Sequence, residues 1–332
     1  MKYLQPPSSF AEQSGAAILA AMVTVTIVAS LATAAVMQQW KLVEVESAER
    51  HRIQAQWLLR GAVDWSRLLL RQDQQSSGLV DHLAEPWAVP LQETKVSMFL
   101  SAQNGVNDGE ASADMTQAFL SGEMQDLNAK LNIMNMVFDP QGMHALHLQR
   151  LFERLGLPQA EFQRLQEGLQ RASTATNGDM RPLLPQTLED LQWLGVSQQS
   201  IGVLSPYVTV LPVATSINLN TAPALVIWAV NEQMEWSKAQ ALVSARAQNH
   251  FTALKDAQRI VGEPQLSDKY MTVRSQNFRA IGRVRVDDLG LSMQADLRRQ
   301  GTSISVQRIQ TVAGVTSDGA SQAQRASGTL LH

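Results

Sequence analysis

AAILAAMVTVTIVASLATAAVM, residues 16–37, decides how the rest of this chain is read. No charged side chain occurs between Glu12 and Lys41. At ~1.5 Å per helical residue the run is long enough to cross the ~30 Å hydrocarbon core of a bilayer, so it reads as a transmembrane helix. Its onset is abrupt: a polar leader ends in Gln13, Ser14 and Gly15, and the apolar run starts at Ala16. No glycine or proline then follows until Gly61, so nothing obliges the helix to stop at the membrane surface. It is expected to continue into water as a stalk. Ile53, Trp57, Ala62, Trp65 and Leu69 recur at helical spacing and give that stalk one face for a core. Glu44, Glu46, Glu49, Arg50 and Arg52 read as its solvated face, and their near balance of sign carries little orientation signal.

The composition, 45% hydrophobic and 17% charged over 332 residues, suffices for two modest domains with a sizeable core. A net charge of -3 and a pI near 6.1 provide no general attraction to nucleic acid or anionic lipid. Zero cysteines exclude disulfides, thiolate metal sites and thiol nucleophiles. The N-terminus admits three readings: a secretory signal cut behind Ala32-Thr33-Ala34, an uncleaved anchor, or cleavage at Gly15. Lys2 is the sole basic side chain of the leader, and the apolar run is longer than a signal core, which counts against the first.

Beyond the stalk, residues 72–78 read as a helix stop. In DHLAEPWAVPL, Trp87 lies between Pro86 and Pro90, which predicts an ordered extended loop with Trp87 packed on the stalk. Alternation predicts strands over 95–102 and 123–134, separated by a polar loop whose Asp108-Gly109-Glu110 lacks the oxygen spacing of a calcium loop. Residues 141–170 change period and predict two helices parted at Gly156 and Pro158. His144 and His147 have no third ligand nearby and read as surface or capping residues. Short helical pieces are expected from 183 to 211.

SINLNTAPALVIWAV sets Asn218 and Asn220 before Thr221 as a helix N-cap and Pro223 inside the first turn. The helices that follow make 216–262 resemble a helix-hairpin-helix unit. Its hairpin, NEQMEW, offers Glu232 and Glu235 and no glycine, so a phosphate backbone would meet negative charge. The unit reads as structural, and no nucleic-acid partner is expected. Strands return over 277–287, 289–297 and 302–312, with a hairpin turn at Asp287-Asp288-Leu289-Gly290, and a polar tail follows Gly314.

The expected fold is α+β: a long N-terminal transmembrane and stalk helix packed on an antiparallel sheet, with an all-α domain inserted between its strands. The divisions are leader 1–15, helix 16–71, first part of the body 72–140, helical insert 141–268, returning strands 269–313 and a disordered tail 314–332. No nucleophile elbow, phosphate loop, zinc pattern or paired-acid signature occurs, so nothing points to an enzyme.

A leader ending in glycine, an apolar helix directly after it and an α/β body resemble the type IV pilin and pseudopilin class. The chain more specifically resembles the minor pseudopilin K family of type II secretion. The residues that carry this are SGAAILAAMVTV at 14–25, DHLAEPWA at 81–88, LNAKLNIMNM at 127–136, SINLNTAPALV at 216–226 and SQNFRAIGRVRV at 275–286. The resemblance implies cleavage by a prepilin peptidase between Gly15 and Ala16. It also implies a single-pass inner-membrane subunit with a periplasmic body at the tip of a short pilus, with minor pseudopilins I, J and H as partners. Ala20, Val23 and Ile27 would then lie on the assembly helix. Ala20 stands at the fifth mature position, where most pilin-like proteins have a glutamate; a subunit with no neighbour above it would bury that charge unpaired.

Two departures stand out. The first mature residue is alanine rather than a bulkier one. Where family members carry an acidic calcium loop, residues 170–183 read QRASTATNGDMRPL, with Asp179 as the one acid. Calcium takes six to eight oxygens, so no metal or other cofactor is expected. The reading from a different class is a membrane-anchored periplasmic module that binds a secreted protein or nucleic acid through 216–262.

Overall fold

The computed structural model describes residues 14–76, 78–98, 118–174, 183–262, 266–286 and 289–313. The leader to residue 13, the loop holding Asp108-Gly109-Glu110, Asp179 and the tail from 314 lie outside the described residues. The chain divides into two compact units, the first ending at Gln56 and the second beginning at Trp57.

One helix, α1 (Ser14–Ser76), supplies the described part of the first unit and the start of the second. From Ala16 to Ile53 its apolar side chains are solvent-exposed. The hydroxyls in this run turn back on the helix: Thr26 Oγ1 donates to the Met22 carbonyl at 2.7 Å and Ser30 Oγ to that of Thr26 at 2.8 Å. Polar groups satisfied within the helix are what a lipid environment requires.

In the second unit Leu59, Val63 and Leu70 of α1 are buried. They meet a five-stranded antiparallel sheet in the order β1 (Leu91–Lys95), β2 (Ala118–Asp126), β7 (Asn277–Val286), β8 (Leu289–Gln300), β9 (Ser303–Ala313). Strand alternation builds the contact face: Phe278, Ala280, Val284 and Val286 of β7 point inward beside Leu297, Ala295 and Leu291 of β8. Gly122 and Gly282 are cross-strand partners on this face. A Cβ on Gly282 would lie 3.1 Å from Leu59 Cδ2, so the missing side chain sets how near α1 approaches.

The helices occupy the chain between β2 and β7. They are α2 (Asn135–Phe138), α3 (His144–Arg154), α4 (Gln159–Thr174), α5 (Gln198–Leu204), α6 (Ala224–Val230), α7 (Trp236–Gln248) and α8 (Leu254–Val261). The break between α3 and α4 falls at Gly156 and Pro158, as the sequence predicts.

Three expectations are corrected. The strand expected over 95–102 is Leu91–Lys95, followed by a helical turn; as an exposed edge it has no apolar alternation to mark it. The strand expected over 123–134 begins at Ala118 and ends at Asp126, whose carboxylate accepts from Asn128 N at 2.7 Å and turns the chain out of the sheet. The insert is not all-α: β3 (Leu131–Asn132) pairs in parallel with β4 (Val208–Thr209), and β5 (Ile217–Asn218) with β6 (Met271–Thr272). Its core accordingly runs from Leu131 to Val273, beyond the expected 141–268.

Candidate functional site

The residues expected on the assembly helix, Ala20, Val23 and Ile27, are all exposed on α1, as is Ala16. Gly15 and Ala16 lie in its first turns. Asp and Glu are absent from that first turn, and the helix is long and apolar enough to span a membrane.

The second concentration of function-bearing residues is a buried polar seam where the helices meet the sheet. Asparagines supply most of it, because one side-chain amide can replace both the donor and the acceptor of a missing strand neighbour. Asn128 Oδ1 accepts from Gln276 N and Asn277 N at 3.1 and 3.0 Å, while its Nδ2 donates to the Ser216 carbonyl at 3.0 Å. Asn135 brackets Thr215 from both sides, accepting from its N–H at 3.0 Å and donating to its carbonyl at 2.7 Å. Asn220 does the same to Phe251, at 2.9 Å each way.

Asn218 is the centre of the seam. It is fully buried, and its Nδ2 donates to Ser275 Oγ at 2.8 Å and to the Asp81 carbonyl at 3.0 Å. Its Oδ1 accepts from Asn220 N at 2.9 Å, which fixes the turn ahead of α6. Thr221 is not the N-cap expected of it. Pro223 occupies the cap position of α6, with ψ of 152°, and Thr221 Oγ1 donates to Asp126 Oδ2 at 2.5 Å. Arg246 on α7 closes the turn from below by donating to the carbonyls of Leu219 and Ala222.

Five charged residues that no local pattern marks complete the seam. Asp126 is buried and accepts from Ser275 Oγ at 2.5 Å; burial raises its pKa to about 6 against the pull of these donors. Asp81 accepts from Ser275 N at 2.7 Å and from Arg299 Nη1 at 2.7 Å. Arg299 Nη2 reaches Asp73 Oδ2 at 3.1 Å. Glu85 lies beside them, its Oε2 accepting from Trp87 Nε1 at 2.7 Å and His82 N at 2.9 Å, and burial pushes its pKa up to about 7. One signal was available: Arg299 takes the inward position after Leu297 in the alternation of β8. Trp87 is buried edge-on to Phe278, with ring centroids 5.2 Å apart.

Asp73, Asp81 and Glu85 bring ligand atoms within 4.8 Å of one another. The Arg299 guanidinium already bridges two of them, which makes the group an ion-paired joint. The pair His144 and His147 also differs from expectation. His147 is buried against Tyr270, its ring centroid 4.9 Å from the tyrosine's, and burial lowers its pKa to about 4. The turn between α6 and α7 exposes Glu232 and Glu235.

A single N-terminal apolar helix whose later turns pack on an antiparallel sheet, with helices folded out between two strands, is the architecture of a pilin-like subunit. Comparison with known proteins narrows the class. Residues 217–274, the part that contains Asn218, Asn220 and Arg246, match the family described as type II secretion system (T2SS), protein K. Type II secretion system protein K of Pseudomonas aeruginosa is 23% identical over 275 residues, covering 74% of this chain and 75% of its own. The crystal structure of the GspK-GspI-GspJ complex from the enterotoxigenic Escherichia coli type 2 secretion system contains a chain of the same fold. It aligns with a TM-score of 0.60 and 16% identity over 80% of this chain and 99% of that one. Over most of its length the chain is similar to type II secretion system protein K, as the sequence motifs indicate, and the membrane-anchored binding module is not favoured.

Proposed function

We propose that the chain is the tip subunit of a type II secretion pseudopilus, which initiates assembly and supports protein export across the outer membrane by packing its N-terminal helix against sister helices. Ala20 carries the reading. A subunit added beneath others uses an acid near its N-terminus to neutralise a neighbour's amine, whereas a topmost subunit has no such neighbour and would bury the acid unpaired. The exposed apolar surface of α1 at Val23 and Ile27 supports helix-to-helix packing.

In this reading a prepilin peptidase cuts between Gly15 and Ala16, the helix crosses the inner membrane once, and the body lies in the periplasm. Minor pseudopilins I and J are its direct partners, with H as a further one; the solved relative is itself described in complex with GspI and GspJ. The role is assembly without catalysis and without a resident cofactor. The stretch 170–183 holds one acid, too few for the calcium that the family's acidic loop would take.

N-terminal sequencing of the membrane-extracted chain tests the processing on which this depends. A start at Ala16 is expected; a start at Met1 or Ala35 would contradict it.

A further inference from the structure

The sheet face opposite α1 is polar. Register aligns Gln125, Arg279, Asp296 and Arg308 in one row across four neighbouring strands, and Gln294 pairs with Gln310 two residues along. Against this row the segment after β2 and the segments around Thr187 and Ser205 close a cavity of about 270 Å³.

The charges in this cavity are unevenly balanced. Arg279 is neutralised by Asp296 through two bonds of 2.7 and 3.0 Å. Arg308 donates to the Gln186 carbonyl and is attracted by the nearby Asp190 carboxylate, which accepts from the N–H groups of Gln186 and Thr187 at 2.8 and 2.9 Å. Glu189 is on the rim, exposed to solvent. Lys130 has no such relief. Its Nζ donates to the Ser205 carbonyl at 2.9 Å, and among the described residues it forms no ion pair. Burial, together with the like charge of Arg279, lowers its pKa to about 8. A partly desolvated ammonium facing a second cation and a row of amides attracts an anion.

We propose that this cavity binds a small free oxyanion of the size of phosphate or sulfate, with Lys130 and Arg308 as its charged contacts and Gln125, Gln294 and Gln310 as neutral donors. A cation is repelled by the same pair, and an apolar ligand would leave the amides and the ammonium unsatisfied. The ligand would close the seam between sheet and helices from the side away from Asn218. The inference stands apart from the pilus-tip assignment and holds or fails without it.

Isothermal titration calorimetry of the detergent-solubilised full chain with sodium phosphate, against sodium chloride at equal ionic strength, tests it. Saturable binding of phosphate alone is expected. Affinity should fall about tenfold or more in Lys130→Gln and in Arg308→Gln. Lys269→Gln, whose lysine pairs with Asp139 elsewhere, should bind as the wild type does. If Lys130→Gln does not fold, Arg308→Gln at the sheet edge decides. Absence of saturable binding to the wild-type chain, or unchanged affinity in the folded cavity variants, overturns the proposal.

Discussion

Arg299 Nη1 lies 2.7 Å from Asp81 Oδ1, joining the last inward position of β8 to the segment that follows α1. Both side chains are almost wholly buried, and the same guanidinium holds Asp73. A buried pair adds little over apolar packing, but breaking it strands a charge. Arg299→Met, which leaves two buried carboxylates without their cation, is expected to cost about 3–5 kcal/mol. Thermal unfolding of the full chain in detergent, followed by tryptophan fluorescence, measures this. A loss under about 1 kcal/mol would show that the joint is not what ties the end of α1 to the sheet.

Glu85 gives the seam a pH dependence of definite sign. Its pKa rises from 4.5 to about 7 on folding, so the folded chain keeps a proton that the unfolded chain has released, and stability is lost as pH rises across that window. Asp126, raised from 3.8 to about 6, acts in the same direction at lower pH. His147 opposes both: its pKa falls from 6.5 to about 4, so stability is gained as pH rises through that range. From pH 6.5 upward the Glu85 contribution dominates these three. Glu85→Gln keeps an oxygen for the N–H groups of Trp87 and His82, and relative to wild type should lessen the loss of melting temperature as pH rises from 4.5 toward about 7. Superimposable pH profiles for wild type and variant would refute it.

Asn218 and Asn220 stand two residues apart yet tie different partners. Asn218→Ala removes donors to Ser275 and the Asp81 carbonyl and should destabilise the seam by about 2–4 kcal/mol. Asn220→Ala breaks the clip on Phe251, between α7 and α8. Hydrogen exchange separates the two: increased exchange at Ser275 and Asn277 is expected for the first, and at Phe251 and Thr252 for the second. The same pattern in both variants would mean that the clips act as one unit.

Ala20→Glu should leave melting of the second unit unchanged while placing a carboxylate in a membrane helix at a cost of up to about 3 kcal/mol. In cells lacking the native chain, secretion should be restored by wild type and by Ala20→Val and impaired with Ala20→Glu. Full secretion with the glutamate would remove the case for an uncharged position at the pilus tip.

The parts of the fold that could be read in advance are those governed by local periodicity. The apolar run of α1 has no breaker before Gly61, the inward residues of β7 alternate with Arg283 and Arg285, and Gly156 ends α3 in the left-handed region at φ 66°. β1 escaped because an exposed edge strand has no apolar alternation to read. Thr221 has the side chain of an N-cap, and local reading assigned it that role; Asp126, 95 residues away, takes its hydroxyl instead. His147 is buried rather than at the surface for the same reason, since Tyr270 covers it from 123 positions downstream. The asparagines were legible as motifs but not as clips, because each one's partner is set by the long-range return of the chain.

The central claim is that the chain caps a pseudopilus through helices it shares with other minor pseudopilins. Co-expression of the full-length chain with minor pseudopilins I and J from the same genome, followed by purification through a tag on this chain and native mass spectrometry, tests it most directly. An equimolar three-chain complex is predicted, weakened by charged substitutions at Val23 and Ile27. Recovery of this chain alone, with I and J expressed and folded in the same membranes, would contradict the account.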